Sequence, residues 1–281
     1  MAESAAAADP REMSKRIISF PRPKIILFGD SLTEWAFQRT GWGALLADRY
    51  ARKADVVNRG YSGYNTCWAL HLLDKLFPKK DTSSPPPPLG PPQPREMVTV
   101  FFGANDAVVE NGAAAKHHVP LEEYRQNLST IVQHLQKVSK STFVVLIAPP
   151  PVDSVAHLNH CRRELGTDLD DCGRSNESVG LYAEACVQVG REMGVPVIDL
   201  WKMMQEGGGD WKRYLCDGLH FSEEGNAFVF DALMRVVEEH GRSGEESLVA
   251  EEMPMDYPSF EDIDPITYAQ MFAAWMEKHH Y

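Results

Sequence analysis

The sequence predicts an α/β fold: a five-stranded parallel sheet between two layers of helices, a three-layer α/β/α arrangement. Short β-branched or apolar runs recur along the chain, amphipathic stretches alternate with them, and glycine-containing polar segments follow several of the runs directly. The runs lie at residues 24–28 (KIILF), 55–58 (DVVN), 97–102 (MVTVFF), 142–147 (TFVVLI) and 195–199 (VPVID). Their brevity and composition suit buried strands. Amphipathic segments at 42–53, 66–77, 121–138 and 176–193 separate them, and one more, 222–240, follows the fifth run. Strict alternation of strand and helix gives parallel strands joined by crossovers, with helices on both faces. The expected strand order is the flavodoxin-like 2-1-3-4-5.

With 281 residues, 43% of them hydrophobic, the chain has material for one such domain and an extension. Charged residues make up 24%, and no stretch approaches the ~18 apolar residues of a membrane span, so neither a membrane-spanning nor a disordered chain is expected. The balance of 28 basic and 40 acidic side chains gives a net charge of −12, which opposes phosphate backbones and excludes nucleic acid as an expected partner. Much of the excess lies in residues 241–281, where Arg242 and Lys278 face nine acids. The five cysteines are widely spaced and form no CxxC, which points to reduced thiols rather than a disulfide framework or zinc site. The start, MAESAAAADPREMSKR, lacks the apolar core of a secretory signal. A cytoplasmic location is the expectation.

The chain divides into a flexible segment at 1–23, a folded domain at 24–240 and an acidic extension at 241–281. Residues 85–94 (PPPPLGPPQP) fit neither helix nor interior strand and read as an exposed insertion, with a ligand for proline-recognising modules as the other reading. Residues 148–175 carry three consecutive prolines and many polar groups, and are expected to form a long irregular loop that shapes a pocket. In the extension, Tyr268, Met271, Phe272, Trp275 and Met276 fall on one face of a helix, expected to pack on its own domain. No internal repeat, P-loop, GxGxxG after a strand, HExxH or GxSxG occurs.

Chemistry concentrates after the strands. The first run leads into Gly29-Asp30-Ser31-Leu32-Thr33, placing a serine at a strand's carboxyl end and at a helix start, where free main-chain N–H groups can receive an anion. Taken alone, Ser31 could equally be a helix cap. The second run is followed by Asn58-Arg59-Gly60-Tyr61-Ser62-Gly63, where Gly63 could expose a main-chain donor or simply make a turn. After the third comes Gly103-Ala104-Asn105-Asp106, whose Asn105 amide can donate into the same crevice. Ahead of the last amphipathic segment stands Asp217-Gly218-Leu219-His220, a carboxylate three residues before an imidazole that it can orient.

These four segments resemble the sequence blocks of the SGNH hydrolases, the GDSL esterase/lipase superfamily, over roughly residues 24–240. The longer strings GDSLTEWAF, GWGALLADRYARKADVVNRGYSGYNT, FFGANDA and DGLHFSEEGN are similar to the isoamyl acetate-hydrolysing esterase group, especially its plant members. The acidic extension resembles those plant proteins too. The proline-rich insertion has no match in the family pattern. The resemblance implies an SGNH hydrolase fold, with Ser31 as nucleophile, Asp217 and His220 as its acid–base partners, and Ser31, Gly63 and Asn105 as oxyanion hole. It implies hydrolysis of a small-molecule ester, of short acetate type, through an acyl-enzyme and without metal or organic cofactor. Deacetylation of an O-acetylated carbohydrate is the alternative activity. A non-catalytic binding or interaction module is the alternative class.

Other residues weighed are Ser62, read as a supporting hydrogen-bonding group, and His117 and His118, read as solvent-facing with an influence on substrate entry as the other possibility. Cys161, Cys172, His157 and His160 match no zinc spacing. Trp35, Phe37 and Trp42 are read as helix packing, with lining of the acyl pocket as the other possibility.

Overall fold

The computed structural model describes residues 22–79, 95–112, 114–165, 168–206, 209–243 and 246–278. The proline-rich insertion at 85–94 and nearly all of the segment at 1–23 fall outside the described residues.

Five strands, β1 (Lys24–Gly29), β2 (Asp55–Gly60), β3 (Met97–Phe101), β4 (Phe143–Ile147) and β5 (Val197–Ile198), form one sheet in the order β2-β1-β3-β4-β5. All neighbours are parallel, with Ile26 opposite Val57 on one side and Val98 on the other. The order expected from the alternation is the order found. β3 and β4 are buried along their whole length, which is why their sequences read as continuous β-branched or apolar runs. β2 is an edge strand and is partly open.

The helices are α1 (Ser31–Glu34), α2 (Trp42–Arg49), α3 (Thr66–Leu70), α4 (Leu73–Leu76), α5 (Leu121–Val138), α6 (Ser154–Leu165), α7 (Asn176–Met193), α8 (Leu200–Gln205), α9 (Glu223–His240) and α10 (Tyr268–Lys278). α5 packs against α3 and α7, whereas α9 packs against α2. Reversal of the strand order between β2 and β3 puts these two groups on opposite faces of the sheet. Polar caps fix several starts: the side chains of Asn65, Ser175 and Ser222 accept main-chain N–H bonds at the heads of α3, α7 and α9. α7 ends on Gly194 in the left-handed region, at φ +66°.

Three expected elements differ. The helix at 42–53 stops at Arg49 because the chain turns back through Arg52, whose φ is +64°. The segment at 66–77 is broken into α3 and α4. The third difference is in kind: residues 148–175, expected to be irregular, contain the 12-residue helix α6.

The extension is tied back to the domain. Leu248, Val249, Ala250 and Met253 are buried in the same apolar core as the sheet, and Tyr50 Oη donates to Leu248 O at 2.7 Å. Two-residue strands β6 (Arg242–Ser243) and β7 (Glu246–Ser247) pair antiparallel, and Asp256 is held by Arg22 and Arg52. Beyond it, α10 sets Phe272 and Trp275 against Tyr257. Among the described residues no helix is long and apolar enough to cross a membrane.

Candidate active site

The site is built at the carboxyl edge of the sheet, where β1 ends at Gly29. Asp30 caps α1, its Oδ1 accepting from Leu32 N at 3.0 Å while its own N–H donates to Phe101 O at the end of β3. The cap leaves Ser31 as the first helical residue, a position whose N–H has no acceptor one turn back. Asp30 is fully enclosed. Burial pushes its carboxyl up to about 7; the Leu32 amide opposes that rise and the nearby Asp106 adds to it.

Ser31 Oγ lies 3.0 Å from His220 Nε2, and His220 Nδ1 lies 2.6 Å from Asp217 Oδ2. The other Asp217 oxygen accepts from the main-chain N–H groups of Leu219 and His220 at 2.8 and 2.7 Å. A carboxylate so placed only accepts, so the His220 proton sits on Nδ1 and Nε2 faces the serine with its lone pair. Burial works to raise the Asp217 carboxyl, but the His220 hydrogen bond and charge and the two main-chain donors outweigh it, holding the group below the usual carboxylate range. Trp35 stacks on the His220 ring, centroids 3.9 Å apart and planes 25° from parallel.

The turn carrying Asp217 and His220 is braced from behind by α6. Gly218 stands at φ +87° and its carbonyl accepts from Asp153 N at 2.9 Å. A Cβ on Gly218 would fall 2.5 Å from both Asp153 O and His157 N, so only glycine lets the turn lie this close to the helix.

Gly63 follows β2 and is placed from two sides. Tyr61 N donates to Gly29 O at 2.9 Å, and Ser62 N to Glu34 Oε2 at 2.7 Å, tying this loop to the turn of Ser31. Gly63 has φ +79°, while a Cβ there would meet only His117 Cε1, at 3.5 Å, so the backbone conformation rather than crowding calls for glycine. The Asn105 side chain is buried; its Nδ2 donates to Tyr64 O and its Oδ1 accepts from Arg174 Nη2, both at 2.9 Å. Next to it, Asp106 Oδ1 accepts from Thr66 N at 2.9 Å and from Thr66 Oγ1 at 2.5 Å, and burial pushes its carboxyl up to about 6. Beside His220 a depression of about 20 Å³ is lined by Leu32, Trp35, Gln38, Phe221 and Asn226.

A hydroxyl donating to an imidazole whose other nitrogen is held by a carboxylate can lose its proton as it attacks a carbonyl. Free N–H groups around it can receive the charge that then develops on the carbonyl oxygen.

The profile of the GDSL-like lipase/acylhydrolase family matches residues 27–228. The chain belongs to this family. A GDSL esterase/lipase of Arabidopsis thaliana is 46% identical over 245 residues, covering 86% of this chain and 94% of the relative. The human isoamyl acetate-hydrolyzing esterase 1 homolog is 44% identical over 217 residues, 77% of this chain and 82% of its own. Among solved structures, the lipase/acylhydrolase from Enterococcus faecalis superposes with a TM-score of 0.55 at 27% identity, covering 77% of this chain and 96% of that one. As a GDSL family member the chain is a carboxylic ester hydrolase with the SGNH hydrolase fold.

Within this GDSL hydrolase, some residues stand elsewhere than their sequence surroundings suggest. His117 and His118 are half-buried and anchored through one ring nitrogen each: His117 Nδ1 bonds Gly63 O at 2.8 Å and its ring lies 5.5 Å from that of Trp68, while His118 Nδ1 bonds Val108 O at 2.6 Å. Trp42 is wholly buried, its indole donating to Leu32 O at 2.9 Å, so it packs α2 rather than lining a pocket. Trp35 covers the imidazole and lines the depression beside it. Cys161 Sγ lies 3.6 Å from His157 Nε2, and among the described residues no His, Cys, Asp or Glu group is arranged to hold a metal ion. Two contacts had no local signal, the Arg174 bond to Asn105 and the Glu34 bond to Ser62, because each joins segments far apart in sequence.

Proposed function

We propose that the chain is a serine esterase acting on short-chain, acetate-type carboxylic esters through an acyl-enzyme. Ser31 Oγ attacks the ester carbonyl, His220 Nε2 takes its proton and then gives it to the departing alcohol, and Asp217 holds His220 in the correct tautomer. The Ser31 and Gly63 N–H groups and Asn105 Nδ2 receive the oxyanion. Water, activated by the same imidazole, attacks the acyl-enzyme and releases the acid. The observation that carries this reading is the continuous chain of hydrogen bonds from Ser31 through His220 to Asp217, at 3.0 and 2.6 Å.

Relatives named as isoamyl acetate-hydrolyzing esterase homologs, from human and mouse, support this substrate class. The five free cysteines suit a reducing, cytoplasmic setting. Deacetylation of an O-acetylated carbohydrate is the second reading, favoured by the Trp35 and Trp68 rings, which are 37% exposed beside His220 and His117 and offer faces on which a sugar could lie.

Initial rates on p-nitrophenyl esters from acetate to palmitate test the proposal, with Ser31→Ala as control. Rates should be highest at acetate and vanish in the variant. A Ser31→Ala protein that retains hydrolysis, or a maximum at long chains, would overturn it.

A further inference from the structure

The Asn105 amide is held at two points. Tyr64 O takes one Nδ2 hydrogen, which fixes the nitrogen end of the amide but leaves its plane free to tilt about that single bond. Arg174 supplies the second point: Nη2 donates to Asn105 Oδ1 at 2.9 Å and Nη1 donates to Ala104 O. A guanidinium only donates, so the atom it faces must be the amide oxygen, and no acceptor among the described residues takes the second Nδ2 hydrogen.

The placement of Arg174 is itself rigid. Gly173 O accepts from Val109 N at 2.8 Å, Ser175 Oγ caps α7 through Ser178 N at 3.0 Å, and Ser178 Oγ donates to Ala107 O at 2.8 Å. Residues 173–178 thus clasp residues 104–109 on both sides of the bond to Asn105. Among the described residues Arg174 makes no ion pair within 4.0 Å; the charges that act on it, led by Asp30 and including Asp217, do so at longer range, and burial lowers its basicity. A desolvated arginine normally faces a carboxylate. Here its two donors go to the peptide and the side chain of the oxyanion-hole residue. A cation bonded to Oδ1 also draws electron density to the amide oxygen, which strengthens the remaining N–H as a donor.

We propose that Arg174 is a positioning residue for the oxyanion hole, fixing the plane of the Asn105 amide and polarising its free N–H towards the transition state. The proposal rests on the esterase reading of the site. It requires that Arg174 act through Asn105 and on the chemical step, not on ground-state binding.

The test is a double-mutant cycle on p-nitrophenyl acetate with the full chain: wild type, Asn105→Ala, Arg174→Gln, the double variant and Arg174→Lys, with folding of each checked by circular dichroism and thermal melting. Asn105→Ala should lower kcat about 100- to 1,000-fold. Arg174→Gln should lower kcat about 10- to 100-fold and leave KM within about threefold, and the double variant should be no slower than Asn105→Ala alone within about twofold. Arg174→Lys keeps the charge but cannot span both acceptors, so it should fall between wild type and Arg174→Gln. If Arg174→Gln fails to fold, the cycle is run with Arg174→Lys, which should lose at least about fivefold in kcat and none of it in the Asn105→Ala background. Losses that multiply in the double variant, a change confined to KM, or wild-type kcat in the Arg174 variant would overturn the proposal. Ser31→Ala separates the two levels: if it retains activity the reading of the site falls, and if it is inactive while the Arg174 and Asn105 effects multiply, only the role of Arg174 falls.

Discussion

Asp217→Asn swaps an acceptor for an amide of the same shape, and the geometry dictates which way the amide must lie. Asp217 Oδ1 accepts from two main-chain N–H groups at 2.8 and 2.7 Å, so the asparagine oxygen has to occupy that place. Its NH2 is then left against His220 Nδ1, where the carboxylate oxygen stands at 2.6 Å. Facing a donor, the ring must accept at Nδ1 and carry its proton on Nε2, pointed at Ser31 Oγ 3.0 Å away. That nitrogen can no longer take the serine proton. In serine triads the wrong tautomer costs about 10⁴ in kcat, or ~5.5 kcal/mol of barrier at 1.36 kcal/mol per decade. The fold should survive, since both main-chain bonds are kept. The assay is kcat on p-nitrophenyl acetate at pH 7 together with the melting temperature, and the ring tautomer can be read from imidazole ¹⁵N shifts. An Asp217→Asn protein with more than about a tenth of wild-type kcat would refute the assignment of His220 as a base oriented by Asp217.

Trp35→Ala removes the ring stacked on His220, a contact of about 0.5–1.5 kcal/mol, so kcat on p-nitrophenyl acetate should fall about two- to tenfold; an unchanged kcat would show that the stack does not hold the base. Asp30 has its carboxyl raised by burial from 3.8 to about 7, so the folded protein keeps that proton longer than the unfolded chain does. The associated stability is full below about pH 4 and is lost as pH rises through 7. Asp30→Asn lacks this loss, and its melting temperature relative to wild type should climb between pH 5 and pH 8; a constant difference would mean that Asp30 is ionised in the folded state. A chain ending at residue 258 should melt close to wild type. One ending at residue 240 loses the buried Leu248, Val249, Ala250 and Met253 and the Tyr50 hydrogen bond, about 5 kcal/mol or more, and should be largely unfolded; equal melting of the two would contradict the packing described for the extension.

What could be read from the sequence, and what could not, follows from where each signal resides. β3 and β4 announce themselves because burial on both faces leaves a continuous β-branched or apolar run, and β1 because it delivers its chain straight into Gly29-Asp30-Ser31. α5 and α7 carry apolar residues at helical spacing and end where that spacing ends. α6 was hidden for the opposite reason. Its Val155 is 69% exposed while His157 is buried, so its inward face is polar and no apolar stripe marks it. Ser31, Gly63, Asn105, Asp217 and His220 could be named because each follows a strand or heads a helix in a short recognisable string. Arg174 could not be, since nothing in Cys-Gly-Arg-Ser hints at a partner 69 residues earlier. Trp35 is the intermediate case: its nearness to Ser31 was visible, but the ring it covers arrives from the other end of the chain.

Ser31 and His220 are separated by 189 residues. During synthesis Ser31 therefore emerges long before His220, by roughly 10–40 s at ordinary elongation rates. Throughout that interval the serine is an ordinary alcohol, unable to acylate itself on any ester it meets. The residues that close the core, 248–253, come later still. On the proposed reading, hydrolysis can begin only after His220 has been made, when most of the domain is already in place.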